Sequence, residues 1–261
     1  MLGIGPNASG ARRTARRRVD PAEISALPGM WSWHTVSEGA MVLDGSGNIE
    51  TLLDRSGNGR HFGNAPSAQR PSVIADAILG KAAARFSGAQ GLTYLADHPT
   101  GAYTNLFVFR SPASAAVQTI FGQTTTSNDN HRIYLDPTTL ALRHQVQNAA
   151  LVAGDNNASA GAVSADIFHV AIAAFDGAAG TVKSKRDAVA PTVLTRAGLS
   201  AIRNQTNYLG CGNLPAGVPS SVFRGDLAAI VILSTDVLAA AQSPVLATLR
   251  DYLALDFGLA A

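Results

Sequence analysis

The sequence predicts an all-β domain, a two-sheet antiparallel sandwich with a short C-terminal helix and an extended basic N-terminal arm. Short runs rich in β-branched and aromatic residues recur along the chain and are separated by Gly, Asn, Asp and Pro. Of the 261 residues, 46% are apolar and 15% charged, with 25 Gly and 12 Pro, a composition typical of many short strands joined by tight turns. An amphipathic segment then closes the chain. A β-sandwich of this length commonly forms one domain.

The first 28 residues are predicted to form the arm. Five arginines fall within the first 18 residues, and the other 15 basic residues are outnumbered by 18 acidic ones, so the body is mildly acidic. Asp20 can cap a single helical turn that has Pro21 at its first position. The arginines are predicted to anchor the chain to a neighbouring protein. A solvated terminus is the alternative, and nucleic acid is not the expected partner. The anchoring residues are Arg12, Arg13, Arg16, Arg17 and Arg18.

Residues 29–261 are predicted to form one domain, because no internal repeat and no linker divides them. The predicted strands are residues 30–36, 49–53, 83–86, 105–110, 117–121, 131–135, 140–146, 168–175, 181–185, 208–210 and 222–233.

The last element is predicted to be a helix from Ser243 to Gly258. Ser243 is the expected N-cap, Pro244 fits the first turn, and Gly258 ends the helix. Its apolar residues recur at helical spacing, so one stripe should pack on the sandwich. These residues are Val245, Leu246, Leu249, Tyr252, Leu253 and Phe257.

A single cysteine, Cys211, excludes an intrachain disulfide, so burial must hold the fold together. No apolar stretch of signal-peptide length follows the N-terminal arginines, and no run approaches the roughly 18 apolar residues of a membrane span. We therefore expect a chain made in the cytoplasm, with no signal peptide and no membrane insertion.

Five segments occur in the order seen in laminin-G-like domains. They are Trp31-Ser-Trp33, the turn Asp54 to His61, Arg85 to Gly88, the long run Phe168 to Gly177 with its hairpin partner, and Phe223 to Leu233 followed by the C-terminal helix. On these residues, the chain from about residue 30 to residue 258 resembles the laminin-G-like branch of the concanavalin A-type (lectin/glucanase) jelly rolls.

The resemblance implies a function outside the cell, yet the sequence shows no export signal. Bacteriophage virion proteins of the tail, fibre or head decoration fit both observations, because they fold in the bacterial cytoplasm and leave by lysis. The resemblance therefore implies a virion protein whose arm contacts other virion proteins and whose sandwich faces outward. It also implies a homo-oligomer such as a trimer, although no coiled-coil heptads impose one.

Two polar loops are the candidate ligand-binding elements, residues 124–131 and 154–159. Loops on a rigid sandwich often carry binding groups, and Asn, Asp and His suit the hydroxyls of a sugar. Plain solvated turns are the alternative. The candidate residues are Asn128, Asp129, Asn130, His131, Asp155, Asn156 and Asn157.

Calcium is the one metal that the residues suggest, with Asp54 and Asn58 as candidate ligands and no other cofactor expected. Carboxylate, amide and turn carbonyl oxygens are the hard ligands that calcium prefers. The same residues also form ordinary turns in which the Asp side chain bonds its own backbone. Both interpretations stay open at this point.

Catalytic chemistry is not expected. Jelly-roll laminarinases and carrageenases place two carboxylates about 5 Å apart from an E-x-D-x-x-E strand, and none of the three glutamates begins that pattern. The six histidines lack metal-ligand spacing, and no phosphate-binding glycine motif occurs. The tripeptide Arg224-Gly225-Asp226 opens a buried strand and is expected to be scaffold, as are Trp31 and Trp33.

The favoured function is a non-catalytic virion surface protein that attaches to a host cell-surface glycan or supports host adsorption. A purely structural assembly or decoration protein and a glycan-degrading enzyme are the alternatives.

Overall fold

The computed structural model describes residues 19–122, 130–147, 157–202, 206–213 and 221–261. Within these ranges there are two α-helices, α1 (Pro21–Ser25) and α2 (Ser243–Asp256). The strands are β1 (Met30–Thr35), β2 (Met41–Leu43), β3 (Ile49–Leu52), β4 (Phe62–Gly63), β5 (Ser72–Ile78), β6 (Lys81–Ser87), β7 (Leu92–Tyr94), β8 (Ala102–Arg110), β9 (Gln118–Gly122), β10 (Asn130–Leu135), β11 (Ala141–Gln147), β12 (Asn157–Ala162), β13 (Phe168–Asp176), β14 (Thr181–Arg186), β15 (Thr192–Thr195), β16 (Tyr208–Leu209) and β17 (Arg224–Leu233).

The described strands form two antiparallel sheets. The helix-covered sheet has the order β15-β14-β13-β8-β17-β6-β5, with β1 also paired to β17. The open sheet has the order β12-β11-β10-β9-β16-β7-β4-β3-β2. Sequence neighbours are often separated in these orders, so the chain crosses between sheets repeatedly, as in a jelly roll. The predicted two-sheet antiparallel sandwich is confirmed.

The main core lies between the two sheets and is rich in aromatic residues. Phe107 and Phe109 of β8 point into it, where Phe107 contacts Phe121 of β9, Phe121 contacts Phe62 of β4, and Phe109 contacts Phe223. Leu106 and Val108 point to the opposite face of the same strand. Strand β8 is therefore buried on both faces, which explains its almost unbroken apolar sequence.

The second apolar cluster lies on the outer face of the helix-covered sheet, where α1 and α2 pack. Leu249, Tyr252 and Leu253 of α2 are buried there against sheet residues such as Trp33 and Leu106. The Trp33 indole N–H donates to the Tyr252 hydroxyl over 3.2 Å, and the two rings meet edge to face at 5.8 Å. The predicted apolar stripe of the C-terminal helix is confirmed.

The helix ends differ from the prediction at one residue. Ser243 lies within the helix as its first residue, Gln242 occupies the N-cap position, and no side chain caps the helix there. The predicted Ser243 cap is therefore wrong, because a short 3-10 turn over Ala240–Gln242 runs directly into α2 and supplies its start. Gly258 follows the helix with φ +67, which explains why the helix stops there. Neither described helix is long and apolar enough to span a bilayer.

The five anchoring arginines lie outside the described residues. The chain is described from Val19 onward, and Asp20 accepts a 2.9 Å bond from the Ala22 N–H as the predicted cap of α1. Ile24 and Leu27 are buried in the cluster beneath α2. This last part of the predicted arm thus packs on the sandwich.

Candidate functional site

Polar side chains cover the outer face of the open sheet on three adjacent strands. In β10, His131, Ile133 and Leu135 point inward, so Arg132 and Tyr134 point outward. The strand pairing sets their neighbours, because Arg132 lies opposite Gln145 of β11, and Gln145 lies opposite Asn157 of β12. We call this set the polar patch, and its members are Arg132, Tyr134, Arg143, Gln145, Asn157 and Ser159.

Contacts within the polar patch hold its side chains in place. The Arg132 guanidinium carbon lies 4.3 Å from the centroid of the Tyr134 ring, and its Nε donates to Gln145 over 2.6 Å. The Tyr134 hydroxyl donates to the Asn157 amide oxygen over 3.3 Å. Arg143 pairs with Asp136 over 3.1 Å. The patch is therefore a pre-arranged set of guanidinium, amide and hydroxyl groups on a flat sheet surface.

The two predicted ligand loops join the sheet at the same end as the polar patch. Asn130 pairs with Gln147, and Asn157 pairs with Gln145, so the loop before β10 and the loop between β11 and β12 meet the sheet side by side. Asn128, Asp129, Asp155 and Asn156 lie outside the described residues. Asn130 opens β10 and Asn157 opens β12, so both are strand positions where loop positions were expected.

His131 lies inside the sandwich rather than on a ligand-facing loop. Its side chain is 3% exposed, and its ring lies 4.5 Å from His98 and 5.3 Å from Tyr103. The prediction that His131 lies on the surface is wrong, because side chains alternate along β10, so that His131 faces the core and Arg132 faces outward. Burial, with His98 and His144 nearby, holds the pKa of His131 well below its usual value.

Asp54 organises the turn that follows β3. Its Oδ1 accepts the N–H groups of Trp33 and Ser56, and its Oδ2 accepts the Ser56 hydroxyl and the Arg60 N–H, all within 2.9–3.0 Å. Burial opposes the charged carboxylate, yet these bonds outweigh it and lower the pKa of Asp54.

The Asn58 amide points back at the first strand, where its nitrogen donates to the carbonyls of Met30 and Trp31. The Asp54 carboxylate oxygens already accept hydrogen bonds from N–H and O–H donors, which occupy the positions that a cation would need. The contacts of Asp54 and Asn58 therefore fit the turn interpretation better than a calcium site. Among the described residues, no three His, Cys, Asp or Glu side chains are grouped to hold a metal ion.

A larger cleft, of about 700 Å³, lies beside α1 and α2 on the other side of the molecule. Two of its charged lining residues pair with each other, Lys81 and Asp256, over 3.3 Å. Arg55 stacks on Trp33 at 4.4 Å and donates to Thr35. Val19, the first described residue, also lines this cleft.

The remaining residues that were expected to be scaffold are placed as follows. Trp33 is buried under α2, and Trp31 is half-buried, with Arg60 3.7 Å above its ring. Asp226 is 2% exposed within β17. Cys211 is buried, and burial raises the pKa of its thiol to about 12, which keeps it unreactive.

Four members of the polar patch were missed from the sequence, Arg132, Tyr134, Arg143 and Gln145. Their signal was present, because Arg132 and Tyr134 alternate with core residues in residues 131–135, and Arg143, Gln145 and Gln147 alternate with core residues in residues 142–147. Alternation marks a solvent-facing strand surface. Only the pairing of β10, β11 and β12 shows that these positions lie side by side.

No family model matches this chain, and no curated protein matches it. Solved structures do resemble it. Trypanosoma rangeli sialidase in complex with sialic acid superposes with a TM-score of 0.57 at 12% identity, over 87% of this chain and 33% of the sialidase chain. This chain thus spans about a third of the length of that enzyme.

Two weaker likenesses are to smaller proteins. The Ruminococcus gnavus IT-sialidase CBM40 bound to α2,3 sialyllactose has a TM-score of 0.48 at 13% identity, over 64% of this chain and 95% of its own. The native heptameric SAP-like pentraxin from Limulus polyphemus has a TM-score of 0.47 at 15% identity, over 66% of this chain and 80% of its own.

The fold is a concanavalin A-like jelly roll. At these identities the likeness concerns the fold alone, and it agrees with the jelly-roll class that the sequence resemblance implied. The bacteriophage origin that the laminin-G-like resemblance suggested stays a prediction.

Proposed function

We propose that this jelly roll is a non-catalytic glycan-binding module that contacts sugar through the polar patch of the open sheet. The observation that carries the proposal is that strand pairing places Arg132, Gln145 and Asn157 side by side on three adjacent strands, on a face that neither described helix covers. The fold likeness to a sialidase that was solved with sialic acid supports a sugar ligand.

The chemistry of the polar patch suits a sugar. Amide side chains such as Gln145 and Asn157 both donate and accept hydrogen bonds, as ring hydroxyls require, and the Arg132 guanidinium offers several N–H donors on a planar surface. The ring of Tyr134 supports that plane from below. The predicted loop residues Asn128, Asp129, Asp155 and Asn156 lie outside the described residues and stay predicted contacts.

The non-catalytic part of the proposal is supported by the carboxylates. A glycosidase acid needs a raised pKa. For five aspartates, hydrogen bonds or ion pairs outweigh the effect of burial and lower the pKa. They are Asp44, Asp54, Asp136, Asp187 and Asp226.

Some glycosidases use a tyrosine nucleophile in place of a carboxylate. A nucleophile benefits from a lowered pKa. Burial instead raises the pKa of Tyr94, Tyr103 and Tyr252. These three tyrosines are thus poorly suited to that role, which also supports a binding module.

We further propose that this module acts on a bacteriophage particle. The arm with its five arginines would attach the module to other virion proteins, in a homo-oligomer such as a trimer, and the open sheet would face a host cell-surface glycan. The basic arm and the laminin-G-like resemblance support this assignment.

A glycan array on the full chain tests the binding proposal. Arg132→Ala should lose the signal, whereas the control Arg250→Ala, which removes an exposed arginine of α2, should keep it. Equal binding by both variants would refute the polar patch. Repeating the array with EDTA tests calcium, and release of free sugar from host capsule by the purified protein would refute the non-catalytic assignment.

Deleting residues 1–18 tests the arm, because α1 and its Asp20 cap stay intact in that truncation. The truncated protein should fold and should fail to join particles; incorporation at the normal level would refute anchoring by the arginines. A chain that joins particles but binds no glycan would be a decoration protein.

A further inference from the structure

A second concave site lies where β17 begins, on the outer face of the helix-covered sheet. Its volume is about 400 Å³, which is within the size range of small-ligand pockets. The lining includes Arg85, Arg110, Arg224, Asp166 and Asp226, so it contains both charged residues of the Arg-Gly-Asp tripeptide.

The strand register brings two guanidiniums to one carboxylate. Asp226 lies opposite Arg85 of β6 on one side and opposite Arg110 of β8 on the other. Arg85 Nε donates to Oδ1 over 2.8 Å, and Arg110 Nε donates to Oδ2 over 3.0 Å, with further bonds from an Nη of each. Each guanidinium keeps its other N–H groups for another acceptor.

The charges of this site do not cancel. Three guanidiniums stand against the buried Asp226 and the exposed Asp166, which leaves one positive charge in excess. In the part of the chain that is described, no carboxylate lies within ion-pair distance of Arg224. The cavity is therefore electropositive.

The main chain of Arg224 is held in position by hydrogen bonds, and its side chain is exposed. Its N–H donates to the buried Gln118 over 2.8 Å, and its carbonyl accepts the Ser111 hydroxyl over 3.1 Å. Its side chain runs so close to Gly88 that a Cβ at Gly88 would lie 2.7 Å from the Arg224 Nε. The fixed main chain and the contact with Gly88 place the Arg224 side chain in the lining of the cavity.

We propose that this site binds a tetrahedral oxyanion, the sulfate or phosphate group of a small polar molecule. The three guanidiniums come from three adjacent strands, β6, β17 and β8, and line one cavity on the same face of the sheet. A tetrahedral group presents oxygens in several directions, whereas a carboxylate presents two in one plane. The excess positive charge supplies the attraction. This site is independent of the polar patch, because the two lie on different sheets.

Titration of the full chain with inorganic sulfate at low ionic strength, followed by calorimetry, tests the site, and inorganic phosphate and acetate are titrated in parallel. We expect saturable binding of sulfate or phosphate, and the tighter of the two identifies the group that a natural ligand carries. Acetate should bind more weakly.

Arg224→Gln should weaken binding about tenfold, the effect of one lost charge-assisted contact. Arg196→Gln, which removes an exposed arginine elsewhere, should leave affinity unchanged and controls for net charge. Both variants should keep the wild-type unfolding midpoint, because neither residue pairs with Asp226. Arg224→Lys, which keeps the charge, should bind more tightly than Arg224→Gln.

The proposal is overturned if sulfate and phosphate show no saturation, or if Arg224→Gln and Arg196→Gln bind equally well. Acetate binding as tight as that of sulfate would overturn the tetrahedral assignment.

Discussion

The outer faces of the two sheets differ in what covers them. On the helix-covered sheet, apolar residues such as Leu106, Val108 and Val231 lie under α2 and form a second core. On the open sheet, the corresponding outward positions of β10 and β11 hold Arg132, Tyr134 and Gln145, and both described helices pack elsewhere. One face therefore contributes to stability by burial, and the other is available for recognition.

A single sheet face can also hold both an apolar cluster and a charged cluster. The outer face of the helix-covered sheet is apolar under α2 but charged at the start of β17, where Asp226 is enclosed by Arg85 and Arg110. The boundary between the apolar and the charged part of this face lies where α2 ceases to cover the sheet. Strand positions beyond that reach need no apolar residue and can carry charges.

The largest predicted effect is the loss of stability at acidic pH, which acts on the core between the two sheets. His34, His98, His131 and His144 are buried between the sheets, and burial lowers the pKa of His34, His98 and His144 to about 4 and holds the pKa of His131 well below its usual value. The unfolded chain binds these protons near pH 6.5. Stability should therefore be complete above pH 6.5 and fall as the pH drops toward 4, by up to ~1.4 kcal/mol per pH unit for each histidine.

Urea unfolding at pH 7, 6 and 5 measures this effect. The aspartates with lowered pKa lose their contribution only below about pH 4, so they do not mask it. A free energy of unfolding that stays constant from pH 7 to pH 5 would contradict the prediction.

The next effect is specific to the covered face. Tyr252→Ala should lower the free energy of unfolding by about 3–5 kcal/mol, because it removes a large ring that contacts Trp33 and Phe257. The neighbouring exposed Arg250→Ala should change it by less than about 0.5 kcal/mol. A loss below about 1 kcal/mol for Tyr252→Ala would mean that α2 does not form part of the core.

A smaller change separates packing from hydrogen bonding on the same face. Tyr252→Phe keeps the ring but removes the hydroxyl that accepts the Trp33 N–H. We expect a loss of about 1–2 kcal/mol, the cost of leaving a buried donor unpaired. Chemical denaturation measures it, with Tyr208→Phe, at a half-buried position, as the matched control. Equal values for the two variants would show that the bond contributes nothing.

The smallest stability effect is predicted for the open face. Arg132→Ala should alter the free energy of unfolding by no more than about 0.5 kcal/mol, because a partly exposed arginine contributes little. The same variant should lose glycan binding. Large destabilisation with retained binding would reverse the roles that we assign to the two faces.

Several elements could be predicted because their own residues specify them. The apolar runs of β8, β13 and β17 and the stripe of α2 show their periodicity directly. Strand β12 could not be predicted, since Asn157–Ala162 is made of Asn, Ala, Ser and Gly. It exists because β11 supplies its hydrogen-bond partners.

The candidate site was predicted only in part for the same reason. The polar loops beside β10 and β12 were recognisable from composition, and Asn157 among their residues does lie in the polar patch. His131 was placed on the surface because it ends a polar segment, but the strand phase sends its ring into the core. Arg85 and Arg110 give no local sign that they meet at Asp226.

Local residues specify the sandwich class, the positions of the main strands along the chain, the C-terminal helix and the turn at Asp54, because periodicity, turn residues and caps act within a few residues. Which polar residues share a surface follows from the tertiary structure. Long-range strand pairing joins Arg132 to Gln145 and Asp226 to Arg85, and the free energy of that pairing depends on the packing of both sheets rather than on any local segment.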